Sequence, residues 1–260
     1  MIPRAAITAW GNSRPWPNAQ AIEQDLLLAR MIVELYNHPI LGEELVFRGD
    51  TCLHQVVLPA PLRYSEDLDF VRRTHTGIGP IFDAVREVAD SVGLHVVNTS
   101  RGQQSKIRLS APSEADPSLT LRIKVEINTH ETSPAEPLVT RPYSVANGWF
   151  DGAAEVRTFT DAELLATKIR ALYQRKKGRD LFDMWLGLTQ IELTGDQLLA
   201  AFGPYRPAGL TSDLAIENLQ SKLADEAFRT DLIPLVGRFP DGYDIDHAGE
   251  LVIREVLAKL

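Results

Sequence analysis

Apolar residues recur at helical spacing in two segments of the first half of the chain, 18–36 and 81–92, which are predicted to be helices. Short apolar or alternating runs beside them are typical of strands. The last such run alternates strictly, with apolar residues on one face and Arg122, Lys124 and Glu126 on the other. Five strands are predicted in all, at residues 44–48, 67–71, 94–98, 106–110 and 119–128.

Beyond about residue 155 the spacing becomes helical throughout. Thr160 and Glu163 form a capping-box pattern that begins a helix predicted over 161–175. Residues 134–152 contain several prolines and are predicted to be irregular, and residues 1–17 are predicted to be an arm that packs onto the body or onto a partner. The predicted fold class is α+β, with a small mixed sheet in residues 1–155 and an α-helical half in residues 156–260. The remaining helices are predicted at 180–188, 195–202, 212–232 and 248–259.

Composition narrows the class of protein. The chain has 260 residues, 44% hydrophobic and 24% charged, which is ordinary for a globular protein. A net charge of -8 argues against indiscriminate coating of nucleic acid but leaves room for a local basic patch. A single cysteine, Cys52, excludes an intrachain disulfide, and no apolar run approaches the roughly 20 residues of a membrane span. With no signal-peptide pattern in residues 1–7, a cytoplasmic protein without a membrane partner is expected.

Three carboxylates are the first candidate site. Asp67 and Asp69 are two residues apart on a predicted strand, so both side chains point to the same side of it. Glu126 lies on the polar face of a later strand, and the three carboxylates converge if these strands are neighbours. Carboxylates in this arrangement suit hard divalent cations that carry phosphates, which favours phosphoryl or nucleotidyl transfer. The alternatives are a solvated strand edge, and a Glu126 that simply pairs with Arg122 or Lys124.

Small residues beside these carboxylates suit phosphate binding. Gly49 has no side chain, so its backbone can approach a phosphate closely, and Thr51 can donate its hydroxyl to a phosphate oxygen. Ser65 lies two residues before Asp67. It is either a hydrogen-bonding turn residue or a position where modification would place negative charge in the metal site.

A second candidate group lies in the helical half. Lys168 shares the apolar side of its predicted helix and therefore needs a nearby anion, which a nucleoside triphosphate would provide. A lysine at the edge of the stripe, with its ammonium group in solvent, is the alternative. Asp180 and Asp183 lie one helical turn apart, so one of them can cap the helix while the other faces the site. The basic run 175–179 is either a solvated turn or a lip for nucleic acid.

Together these motifs resemble the AbiEii/AbiGii toxin family of nucleotidyltransferase-fold proteins, over roughly residues 20–190. The resemblance is carried by a Gly-Asp-Thr turn at 49–51, the stretch RYSEDLDF at 63–70, the strand carboxylate in KVEIN at 124–128, the lysine at 168 and RDLFD at 179–183. It implies metal and catalytic roles for Asp67, Asp69 and Glu126, catalytic roles for Lys168 and Asp183, and nucleotide binding by Gly49, Thr51, Ser65, Lys168 and Asp180. It also implies transfer of a nucleotide from an NTP with Mg²⁺ or Mn²⁺, an RNA acceptor with tRNA as the favoured class, and a cognate antitoxin.

One residue departs from the family pattern. Asp50 stands where the family has a second glycine, and an added negative charge beside a triphosphate weakens nucleotide binding unless the side chain turns away or meets a metal. Two alternatives to RNA modification therefore stay open. One is a catalytically impaired regulator that binds nucleotide or RNA, and the other is a nucleotidyltransferase that modifies protein.

Overall fold

A computed structural model describes residues 2–14, 16–130 and 133–260. The chain forms two compact units, one from residues 1–133 and 138–158 and the other from residues 134–137 and 159–260. The first unit contains the whole sheet, and the second is helical. The proposal that residues 1–155 and 156–260 are separate domains stays a prediction.

Within the described residues, seven strands form one mixed sheet in the order β3-β4-β5-β2-β1-β7-β6. The β1–β2 pair at the centre is antiparallel, whereas β2–β5 and β1–β7 are parallel. Burial alternates along β5 and along most of β4, with the apolar residues in the buried positions, so one face of these strands is core and the other carries polar side chains. The strands are β1 (Leu45–Arg48), β2 (Asp67–Arg72), β3 (His95–Ser100), β4 (Gln104–Pro112), β5 (Thr120–Asn128), β6 (Val139–Ala146) and β7 (Asp151–Thr158).

Helices of the first unit bury their apolar sides against the sheet and each other. The longest, α2, buries thirteen of its residues and is capped by Asn18, whose side chain accepts a hydrogen bond from the Ala21 amide. After β1 the chain turns directly into α4 and then into a π-helical turn over Leu53–Val57, where only a turn was expected. The helices are α1 (Arg4–Ser13), α2 (Ala19–Asn37), α3 (Pro39–Glu44), α4 (Gly49–Cys52) and α5 (Gly79–Ser91).

Two segments predicted to be irregular are regular. Residues 139–158 form β6 and β7, so the sheet is larger than predicted. The prolines misled because Pro142 lies in β6, an edge strand, and an edge is where a sheet tolerates proline. The predicted arm contains α1, which buries Ala6, Ile7 and Trp10. Trp10 donates to Asp25 at 2.8 Å, an anchor that the sequence pattern does not reveal.

The second unit consists of helices with well-formed caps. Thr160 caps α6 as predicted, accepting a hydrogen bond from the Glu163 amide. Residues 134–137 join this unit because the Glu163 carboxylate accepts hydrogen bonds from the amides of Ala135 and Glu136. The single helix predicted over 212–232 is two helices, because Asp225 begins a new one. The helices are α6 (Asp161–Gln174), α7 (Gly178–Thr189), α8 (Gly195–Phe202), α9 (Ser212–Leu223), α10 (Glu226–Thr230) and α11 (Ile245–Glu255).

The predicted α+β class is therefore confirmed, with a mixed sheet followed by helices. Among the described residues, none of the helices combines the length and the apolarity that crossing a bilayer requires.

Candidate functional site

The two strands that carry the predicted carboxylates are neighbours in the sheet. β2 and β5 pair in parallel, with Asp69 beside Glu126 and Asp67 beside Lys124. Asp67 and Asp69 are both partly exposed on the polar face, while Leu68 between them is fully buried. The pairing of β2 with β5 therefore brings the three predicted carboxylates to one region of the sheet face, although Glu126 is far from the other two in sequence.

Lysine side chains lie among these carboxylates. The Lys124 ammonium is 2.7 Å from both Asp67 Oδ2 and Glu126 Oε1, and Lys106 adds a second contact to Glu126 at 3.2 Å. Burial acts to raise the pKa of Glu126, but the two lysines outweigh it and hold that pKa below its usual range. The pKa of Asp67 is raised, because burial exceeds the stabilisation by Lys124. The pairing of Glu126 with Lys124, considered from sequence as an alternative, is therefore present.

Asp69 is different, because it has no hydrogen bond or ion pair with any described residue. Burial, followed by the negative charges of Asp50, Asp67 and Glu126, raises its pKa to about 7, and Arg48 acts in the opposite direction. A half-buried carboxyl surrounded by three others is electrostatically unfavourable for the protein alone. Such a position is typical of a cation-binding site.

Gly49 is required by the local geometry. Its φ of +80° is one that other residues rarely adopt, and a Cβ built on it would lie 2.5 Å from Asp69 Oδ2. The neighbouring Thr51 is buried, and its hydroxyl donates to the main-chain oxygen of Asp67 at 2.5 Å and lies 2.8 Å from Ser65 Oγ. Thr51 and Ser65 therefore hold the start of β2 against α4 in this structure, while phosphate binding by Gly49 and Thr51 stays a prediction.

The negative charge of Asp50 is balanced by a positively charged side chain. Its carboxylate is 2.8 Å from Nη2 of Arg63, whose side chain is fully buried. Arg63 also donates to the Tyr64 main-chain oxygen at 3.3 Å. The departure from the family pattern at Asp50 is thus matched by a buried arginine, which reduces the electrostatic penalty expected from the sequence.

In the second unit, Lys168 meets carboxylates of its own unit. Its ammonium is 2.7 Å from Asp183 Oδ2 and 3.6 Å from Asp180 Oδ1, and all three side chains are buried. Asp180 is also held by Arg175, with one hydrogen bond of 2.5 Å and one of 3.0 Å. The anion that the sequence argument required is therefore present as Asp183, and the contribution of Lys168 to nucleotide binding stays a prediction.

Sequence reasoning missed two members of these groups, Arg63 and Lys106. Arg63 precedes the acidic stretch 66–69, and its partner Asp50 lies on the far side of the π-helical turn, so no local spacing identifies the pair. Lys106 lies on β4, and only the register with β5 places it opposite Glu126.

Similarity to known proteins identifies the family to which this chain belongs. The family model described as "Nucleotidyl transferase AbiEii toxin, Type IV TA system" matches residues 31–248, most of the chain. This protein belongs to the AbiEii family. Membership makes it a nucleotidyltransferase toxin of a toxin–antitoxin system and implies an antitoxin as partner. Comparison with curated protein sequences gives no match.

Solved structures support the fold of this AbiEii protein. JHP933 from Helicobacter pylori is similar with a TM-score of 0.58 and 16% identity, over 93% of this chain and 91% of its own. MenT4, a nucleotidyltransferase toxin from Mycobacterium tuberculosis H37Rv, is similar with a TM-score of 0.52 and 16% identity, over 97% of this chain and 99% of its own. These similarities confirm the predicted nucleotidyltransferase-like fold.

Proposed function

We propose that this protein transfers a nucleoside monophosphate from an NTP to an RNA acceptor, with tRNA as the favoured class, and acts in the cytoplasm as the toxin of its toxin–antitoxin pair. The observation that carries the proposal is Asp69, a carboxyl with a pKa raised to about 7 beside Asp67 and Glu126 on the accessible face of the sheet. Its electrostatic cost is explained if the site binds a cation.

The donor set fits such a cation. Oxygen atoms of carboxylates are the ligands preferred by Mg²⁺ and Mn²⁺, and Asp67, Asp69 and Glu126 supply only such atoms. A divalent ion bound there supplies charge neutralisation for the triphosphate and a lower pKa for the attacking hydroxyl. Lys124 contacts Asp67 and Glu126 at 2.7 Å, so it neutralises part of the negative charge of the carboxylates that would hold the ion.

The chain's own residues prepare the site. Gly49 leaves room for the Asp69 carboxylate, which a Cβ would displace. The hydroxyl of Thr51 fixes the main chain at Asp67. Arg63 balances the charge of Asp50, which favours an active enzyme over the regulator that this substitution suggests. Lys168, Asp180 and Asp183 form the part of the proposed machinery that lies in the second unit, with Lys168 and Asp180 assigned to the nucleotide and Asp183 to catalysis.

Incubation of the protein with total RNA, Mg²⁺ and each NTP in turn tests this function. Each NTP is labelled either at the α-phosphate or at the γ-phosphate. Nucleotidyl transfer puts the α-label, and never the γ-label, on a discrete RNA size class. Asp69→Ala and Lys168→Ala abolish labelling, whereas Asp90→Ala, an exposed carboxylate of α5, retains it. Full activity in both site variants contradicts the assignment. Label that enters added protein but not RNA favours the protein-modifying alternative.

A further inference from the structure

A cavity of about 650 Å³ lies on the polar face of the sheet, directly beside the carboxylates. Its walls come from β3, β4, β5 and the start of β2, and they include Asp67 and Lys124 of the candidate site. It also includes Arg108 and Arg122, which have no part in the proposed chemistry. The cavity is therefore continuous with the candidate site and extends away from it.

The positively charged side chains of this cavity are neighbours on the sheet face, where they repel one another. Arg108 lies directly opposite Lys124, and Arg122 lies two pairs further along on the same face, opposite Ser110. Like charges opposite or diagonal to each other on a sheet face are destabilising. Lys124 is compensated by Asp67 and Glu126, but neither Arg108 nor Arg122 has an ion pair among the described residues. Two exposed guanidinium groups thus lie side by side in a protein whose net charge is -8, which points to an anionic ligand.

The position of Arg122 separates this ligand from the triphosphate. A triphosphate has to lie at the carboxylates that bind the metal, around Asp69 and Glu126. Arg122 is four residues from Glu126 along β5, or about 13 Å at the rise of an extended strand. The arginines are therefore placed for an anion that enters the site from the side of β4 and β5.

We propose that Arg108 and Arg122 bind backbone phosphates of the acceptor RNA and direct its single-stranded end toward Asp67 and Asp69. This proposal rests on the function proposed above. The cavity has the size of a small-molecule pocket, which admits one or two nucleotides of a single strand but not a duplex. Val97, 65% exposed on the cavity wall, offers an apolar surface to an unstacked base.

Binding of RNA without NTP tests the proposal independently of catalysis. The probe is a fluorescein-labelled oligouridylate of about 12 nucleotides, followed by anisotropy between about 50 and 200 mM KCl. Because each phosphate contact to a single strand contributes about 0.7 to the slope of log K against log[salt], Arg108→Ala/Arg122→Ala lowers the slope by about 1.4 and weakens binding about tenfold or more at low salt. Arg108→Lys/Arg122→Lys retains most of the slope, and the control Arg4→Ala/Arg254→Ala, which removes two exposed arginines elsewhere, leaves it unchanged.

Kinetics with the same variants complete the test. The double alanine variant raises KM for the RNA acceptor and leaves KM for the NTP unchanged. An unchanged affinity and salt slope overturn the proposal even if the wild-type protein is an active nucleotidyltransferase. A raised KM for the NTP alone also overturns the proposal, because the cavity then holds the triphosphate. Reduced labelling of a protein acceptor together with unaltered RNA binding overturns it as well. If RNA binding depends on the arginines but no NTP is transferred, the RNA surface stands and the proposed enzymatic function fails.

Discussion

Asp69→Asn is expected to make the protein more stable while it removes activity. The pKa of Asp69 is raised from 3.8 to about 7 in the folded protein by burial and by the charges of Asp50, Asp67 and Glu126. A change of this size corresponds to at most about 4 kcal/mol of ionisation free energy, at about 1.4 kcal/mol for each tenfold change in the equilibrium constant. Because Asp69 is only half-buried and solvent screens its neighbours, we expect about 2 kcal/mol at pH 8.

The pH dependence follows from the direction of the shift. With its pKa raised above that of the unfolded chain, folded Asp69 retains a proton that the unfolded chain releases, so wild-type stability falls as the pH rises from about 4 to about 7. The asparagine variant lacks this loss. The two proteins therefore have similar stability near pH 4, diverge through this window, and keep a constant difference above pH 7 or so.

Thermal unfolding followed by circular dichroism checks this at pH values from 4 to 8 or thereabouts. A gain of about 2 kcal/mol raises Tm by about 4 to 8 °C in a chain of this length. Added Mg²⁺ raises the Tm of the wild-type protein and removes much of the difference, because a ligand that binds only the folded state stabilises it. Asp90→Asn is the matched control on an exposed carboxylate and shows neither effect. A variant less stable than wild type at pH 8, or a difference that does not depend on pH, refutes the reasoning.

Three further substitutions test other contacts. Gly49→Ala costs about 2 kcal/mol and most of the activity, because it imposes a side chain at a φ of +80° against the metal-site carboxylate; an unchanged urea midpoint contradicts this. Asp50→Gly brings the turn closer to the family pattern but removes the carboxylate 2.8 Å from buried Arg63, so we expect a loss of about 2 to 3 kcal/mol in urea unfolding rather than a gain in transfer. Lys168→Ala costs about 3 to 5 kcal/mol because it removes the buried ammonium group 2.7 Å from the Asp183 carboxylate, whereas Lys168→Met/Asp183→Leu recovers much of this stability without recovering activity. Equal stability of the single and double variants argues against a buried pair.

The site formed by Asp67, Asp69 and Glu126 shows how much of a site the local sequence pattern can predict. Alternation on one strand was enough to predict that Asp67 and Asp69 share a face, because the side-chain direction in a strand depends only on the backbone repeat. The same pattern placed Glu126 on a polar face but could not pair β5 with β2, since strand order depends on packing between segments distant in sequence. Pro142 was misread for the same reason, because proline is tolerated only at an edge and an edge is defined by the complete sheet.

Charge compensation was the least predictable property. The sequence indicates that Lys168 needs an anionic partner, because an isolated buried charge is costly, and that Asp50 weakens nucleotide binding unless its side chain turns away or meets a metal. It does not identify the partners. Asp183 lies near enough in sequence for Lys168 to be considered, yet a triphosphate was the favoured anion, and the structure shows a contact of 2.7 Å to Asp183. Arg63 as the partner of Asp50 follows only from the way the chain returns after the π-helical turn.

The sequence by itself determined the α+β class, most element positions, the motif residues and the resemblance to the AbiEii family, because these depend on periodicity and on spacing along the chain. Tertiary structure alone decided the strand order, the ion pairs of Lys124, Arg63 and Lys168, the unpaired position of Asp69 and the two arginines beside the site. These properties depend on distances between segments far apart in sequence, and burial makes each such distance a matter of electrostatic free energy.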